Sequence, residues 1–241
     1  DVFSGHYFSP IPDPETLPVS LEATVAGDSL PGLNLIIGSN RNESLMYIPE
    51  GAELSDYLEG YFPPETWNDI KVMLGPELSE LAQMDRLRSA VQYTCPSLSL
   101  AQAAEEAGGF VYVYRFDRVR EGFEVIGAYH GAELPYVFDT HDPWMPTNAV
   151  DLEVTDALVD YWVAFLTDGS PNEFQSGRKE TSDSEMGGSE INSAETGRAM
   201  WSAWSQQQQA LVIADEISTQ THPDSALCEF LNAAQVASAR H

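Results

Sequence analysis

Two short apolar runs separated by a long stretch of helical pattern constrain this chain most. Leu33-Asn34-Leu35-Ile36-Ile37 is bounded by Gly32 and Gly38 and reads as a fully buried strand. Phe110-Val111-Tyr112-Val113-Tyr114-Arg115-Phe116 is the most strand-like run in the sequence, built of β-branched and aromatic residues. Between them, Pro64 to Leu74 and Glu80 to Ala107 read as helices. Pro64 suits a first turn, Leu78, Leu81, Leu87 and Val91 recur near helical spacing, and Gly108-Gly109 stops the second helix just before the Phe110 strand. Pro96 should break that long pattern near Cys95. Strands joined through helices pack as neighbours in a parallel sheet, and such sheets keep their chemistry on the loops at the C-terminal ends of the strands.

Both strands run into loops with reactive side chains. Ser39-Asn40-Arg41-Asn42-Glu43 follows the first, and Gly127-Ala128-Tyr129-His130-Gly131-Ala132-Glu133-Leu134-Pro135-Tyr136-Val137-Phe138 follows the second at a short distance. A histidine with glycines nearby can approach a reacting centre closely and titrates near neutrality, which suits a general base. A surface loop histidine is the plainer alternative.

These segments resemble those of the type-B carboxylesterase and cholinesterase family of α/β-hydrolases. Gly38 to Glu43 is similar to the family's G-x-N-x-x-E, and Gly127 to Phe138 to its G-x-x-H-G-x-E-L-x-Y-V-F. Tyr161 to Asn172 is similar to its Y-W-x-x-F-x-x-x-G-x-P-N. The resemblance implies an α/β chain, the C-terminal half of an α/β-hydrolase fold with a mainly parallel sheet flanked by helices. Residues 1–241 would then be the C-terminal portion of a carboxylesterase catalytic domain.

In the triad of that family Glu43 would be the acid and His130 the base, with small carboxylic esters as substrates. The nucleophilic serine of a G-x-S-x-G elbow is missing. The nearest match, Gly27-Asp28-Ser29-Leu30-Pro31, ends in proline and precedes a strand, so Ser29 reads as a turn serine. No triple-glycine run for an oxyanion hole occurs either. The expected partner is therefore an N-terminal fragment of the same esterase carrying the serine and the oxyanion hole. The alternative is an inactive binding or adhesion module of the same family.

Glu133 is either an acid supporting the triad or an exposed loop acid, and Asn40 and Ser39 are expected to shape the turn that presents Glu43. The residues alone leave Cys95 and Cys228 as a pair of buried thiols, whereas the resemblance implies a Cys95–Cys228 disulfide. A bridge in turn suits a secreted or periplasmic protein.

Composition narrows the partners. The 241 residues, 43% hydrophobic, can bury a sizeable core. Thirty-eight acidic against 11 basic residues give a formal charge of −27, which repels nucleic acid and anionic membrane. That acidity reads as a solvated surface; steering of cationic substrates is the sharper alternative. No apolar run is long enough to span a bilayer. The first residues, Asp1-Val2-Phe3-Ser4-Gly5, lack both an initiator Met and the pattern of a signal peptide, so a processed product or a piece of a longer one is expected.

No phosphate-binding glycine loop, zinc spacing or calcium loop is present, so neither a cofactor nor a metal is expected. His6, His141, His222 and His241 have no motif around them and read as surface residues. Residues 1–31, with five prolines, read as an extended wrapping segment. Asp151 to Leu166 reads as an amphipathic helix with Leu152, Leu158, Val159, Trp162 and Phe165 on its apolar side, closed by Asp168-Gly169. Residues 173–198 read as a polar surface insertion, Ala210 to Ala214 as a strand, and Pro223 to Ala239 as a terminal helix.

Overall fold

The computed structural model describes residues 13, 15, 32–175, 190–192, 198–205 and 207–238. The expected wrapping segment, the Gly27–Pro31 turn, His6, His241 and the middle of the polar insertion lie outside the described residues. In chain order the elements are β1 (Leu35–Asn40), α1 (Leu54–Tyr61), α2 (Trp67–Leu74), α3 (Glu80–Ser89), α4 (Cys95–Glu106) and β2 (Val111–Phe116). Then follow α5 (Leu134–Val137), α6 (Ala149–Asp168), β3 (Glu173–Gln175), β4 (Glu190–Asn192), β5 (Gln209–Ile213), β6 (Ile217–Thr221) and α7 (Ser225–Ser238).

The main sheet has the order β1-β2-β5-β6. β1 lies parallel to β2 with Leu35 opposite Val111, and β2 lies parallel to β5 with Val113 opposite Ala210. β6 adds an antiparallel edge that the sequence reading did not separate from its surroundings. Because side chains alternate across a strand, β2 feeds two cores. Val111 and Val113 pack with α1–α4 and α7, whereas Tyr112 and Phe116 pack with α6 and Trp201 on the other face. The result is a helix–sheet–helix sandwich with both loop ends of β1 and β2 on one rim.

Several local expectations are corrected. β1 is only half-buried over Leu35–Gly38, because among the described residues it has β2 as its single sheet neighbour. Pro96 does not break the helix. Residues Ala90–Thr94 form a π-helical turn between α3 and α4, and Pro96 falls in the first turn of α4, where its missing N–H costs little. In α6, Leu158 is buried as expected and Trp162 and Phe165 pack half-buried against the core, but Leu152 faces solvent, and Val154, Ala157, Tyr161 and Ala164 complete the buried stripe. Residues 173–175 and 190–192 of the polar insertion pair as the β3–β4 ladder. His222 is buried and His141 half-buried, both in hydrogen-bonded settings rather than on the surface.

α6 starts from a capping box in which the Asn148 side chain accepts from the Asp151 N–H and Asp151 accepts from the Asn148 N–H. It ends at Gly169, whose φ of 75° is the left-handed conformation that a helix C-terminus favours. A disulfide joins Cys95, at the start of α4, to Cys228 in α7 across 133 positions of sequence.

Candidate active site

The loops after β1 and β2 are held against each other by backbone and side-chain bonds. The Asn42 N–H donates to the Ala128 carbonyl at 3.0 Å, the Ala128 N–H donates to Asn42 Oδ1 at 3.0 Å, and Asn42 forms a parallel bridge with Tyr129. Gly127 makes this possible: its φ is +63°, and a Cβ there would lie 2.2 Å from Asn42 Oδ1. Gly38 allows a separate close approach within the sheet, of β1 to its β2 neighbour, since a Cβ would meet the Tyr114 carbonyl at 2.3 Å.

Glu43 and His130, 87 positions apart, meet through a hydrogen bond of 2.6 Å between Glu43 Oε2 and His130 Nδ1. Glu43 is buried, and its other oxygen accepts the Asn40 N–H at 2.7 Å. The His130 side chain is 47% exposed, so the ring is reachable from outside while its Nδ1 side is anchored. Burial pushes the Glu43 carboxyl above the usual carboxylate range; the bonds from Asn40 and His130 pull it down but do not win, and the nearby Glu133 adds to the rise. Two aromatic rings border the imidazole, Tyr93 from the π-helical turn at 5.2 Å and Tyr47 edge-on at 6.3 Å.

Asn40 ties the loops together a second time. Its Nδ2 donates to the Tyr129 carbonyl at 2.7 Å and to the Glu133 carboxylate. Glu133 is therefore bonded to the turn that carries Glu43 rather than dangling in solvent. Ser39 Oγ pairs with Thr94 Oγ1 at 2.8 Å, which joins the strand end to the π-helical turn. Neither Ser39 nor Asn40 is open to solvent.

The sequence reading missed Asn42, Tyr93 and Asp85. Asp85, on α3, is 2% exposed; its Oδ2 accepts from Asn42 Nδ2 at 2.8 Å and its Oδ1 from the Ser44 N–H at 3.1 Å. The available signal was polarity at helical spacing on a buried face, since Asp85 and Ser89 lie one turn apart beside Met84 and Leu87. Among the described residues no group of His, Cys, Asp or Glu could hold a metal ion. No helix among them is long and apolar enough to cross a membrane.

The site thus sets a carboxylate behind one nitrogen of a reachable imidazole, on adjacent strand ends. The model of the carboxylesterase family matches residues 75–231. The chain belongs to the carboxylesterase family. Within this carboxylesterase chain the match includes His130 and both cysteines but begins after Glu43, so the acid loop rests on its own geometry and motif. The para-nitrobenzyl esterase of Bacillus subtilis (strain 168) is 25% identical over 183 residues, covering 69% of this chain and 35% of its own length.

A solved structure of a PNB esterase superposes with a TM-score of 0.68 at 21% identity, covering 93% of this chain and 43% of that one. The crystal structure of Aspergillus niger EstA gives a TM-score of 0.70 at 17% identity, covering 95% and 45% respectively. Their fold is that of an α/β-hydrolase, and this carboxylesterase chain has the same fold in part. It spans about a third of the length of the curated relative and less than half of the solved structures.

Proposed function

We propose that this chain is the C-terminal portion of a carboxylesterase catalytic domain and supplies the base and acid of a Ser-Glu-His triad that hydrolyses small carboxylic esters. The 2.6 Å bond between His130 Nδ1 and Glu43 carries the reading, because it leaves Nε2 as the nitrogen that can exchange a proton. His130 Nε2 takes the proton of a serine hydroxyl as that oxygen attacks the ester carbonyl. The resulting imidazolium is stabilised by the ionised Glu43 and returns its proton to the departing alcohol. Water then repeats the sequence on the acyl-enzyme and releases the acid. The serine and the oxyanion-hole N–H groups come from an N-terminal part of the same esterase, which completes the sheet beyond the half-buried β1.

Glu133 and Asn40 serve as supports that hold the Glu43 turn against the His130 loop. The Cys95–Cys228 bridge favours a secreted or periplasmic setting, since such bonds persist where thiols are not kept reduced. The shared fold and family membership do not by themselves distinguish a working esterase from an inactive binding module. The test is hydrolysis of a short-chain ester by the complete esterase and by its His130→Ala and Glu43→Gln variants. Loss of about a millionfold in kcat for the first and about ten-thousandfold for the second is expected, the sizes seen when a triad loses its base or its acid. Undiminished turnover after His130→Ala overturns the reading and leaves the binding module.

A further inference from the structure

Asp85 touches neither His130 nor Glu43, yet it bonds the residue after Glu43 directly and reaches the His130 loop through Asn42. Its Oδ1 accepts the N–H of Ser44, the residue after Glu43, at 3.1 Å, and its Oδ2 accepts from Asn42 Nδ2 at 2.8 Å. That second bond decides which way the Asn42 amide faces, and the opposite end of the same amide, Oδ1, receives the Ala128 N–H two residues before His130. The Ser89 hydroxyl, one turn along α3, donates to Asp85 Oδ1 at 3.1 Å and also lies 3.1 Å from the Ser44 N–H. Each of these three partners gives the Asp85 side chain a donor. A fully buried carboxylate is costly to keep, and burial does push the Asp85 carboxyl upward; three donors offset that cost.

We propose that Asp85 is a positioning residue for the reaction proposed above: through Ser44 it fixes the acid loop, and through the orientation of the Asn42 amide it fixes the base loop. The inference rests on that reading of His130 and Glu43. Placing both loops from one carboxylate on a rigid helix holds the base and acid in register, and an error of about 1 Å in such a register can cost about a hundredfold in rate. In Asp85→Asn an amide NH2 takes the place of an acceptor. Either it faces a donor directly, or Asn42 turns over to receive it and presents its own NH2 to the Ala128 N–H.

The experiment measures kcat and KM for a soluble short-chain ester on the complete esterase, with thermal stability recorded for every variant. Asp85→Asn is expected to lower kcat by about 10- to 100-fold with KM nearly unchanged. The double variant Asn42→Asp with Asp85→Asn restores the pattern. The amide introduced at position 85 donates to one oxygen of the carboxylate introduced at position 42, and the other oxygen of that carboxylate accepts the Ala128 N–H. The double variant is expected to recover most of the lost kcat, which a merely structural contribution to folding would not produce. Full activity in folded Asp85→Asn, or no recovery in a folded double variant, overturns the positioning proposal. Activity that survives His130→Ala overturns the triad reading instead, so the two failures are distinguishable.

Discussion

Two clusters among the described residues set a histidine beside an acidic residue, and they are opposite in design. At the rim, His130 bonds the buried Glu43 through Nδ1 and has its ring half in solvent. In the turn between β6 and α7, His222 is 2% exposed, and its Nδ1 accepts the N–H of Asp224 at 3.2 Å. Asp224 is itself engaged by Arg86 at 2.8 Å and by Arg115, which also bonds Asp117 at 2.7 Å. Burial and the neighbouring Arg115 push the His222 imidazole down to about 4, so it stays neutral, while Arg115 and Arg86 hold the Asp224 carboxyl below its usual range. Histidine next to an acidic residue is therefore not enough to suit the imidazole for the part of a base proposed for His130. Access to the ring and the charge beside it make the difference, and a buried imidazole facing an arginine is a fixed acceptor.

The sharpest break between the clusters is activity. On the proposed triad reading, His130→Ala in the complete esterase should lose about a millionfold in kcat, whereas His222→Gln should leave the turnover of folded enzyme within about twofold. Reduction of the Cys95–Cys228 bridge tests what links the regions, because Cys95 follows the π-helical turn that bears Tyr93 and Thr94, and Cys228 follows Asp224 on α7. Closing a loop of this length is worth about 5 kcal/mol in the chain-entropy model, and denaturant unfolding with and without reductant should show a loss approaching that. Asp224→Ala leaves the buried Arg115 with Asp117 alone and removes the partner of Arg86, and is expected to cost about 3 kcal/mol, measured by the same unfolding curves, without changing kcat per folded molecule.

Smaller effects separate the clusters by pH. The depressed His222 imidazole contributes stability that is present above its unfolded value near 6.5 and is lost as pH falls towards about 4. His222→Gln should flatten the acid side of the stability profile by about 3 kcal/mol at most across that window, as read from unfolding curves at several pH values. Glu43 has the reverse sign. Its carboxyl is raised on folding, so the associated stability is present below the unfolded value and is lost as pH rises through the folded one. Glu43→Gln should therefore gain in melting temperature relative to the parent as pH rises from the acid range to neutrality, as read from thermal unfolding at several pH values. A relative fall over that range would mean that the buried acid stabilises the fold and is not held there at a cost.

Much of the fold could be read from the residues because it depends on local pattern. The Phe110–Phe116 run, the Gly108-Gly109 stop, and the Asp168-Gly169 close of α6 are set by neighbours within a few positions, and each stands where the sequence put it. The loops holding Glu43 and His130 were legible for the same reason, as short motifs with a glycine at each close approach. What tertiary structure alone decided is which partner each polar group found. Pro96 continues a helix because the π-helical turn before it shifts the register; β1 is half-buried because it has one sheet neighbour among the described residues; His222 is interior because α7 and the Arg115 cluster close over it. Asp85 carries only the faint local signature of a second polar residue one turn along a buried helix face, which names no partner: its role depends on Ser44 and Asn42, which lie more than forty positions away and are brought to it by the packing of α3 against the loop after β1. Sequence specifies periods and turns, whose energies are local, whereas the satisfaction of a buried charge is a long-range requirement that only the packed chain resolves.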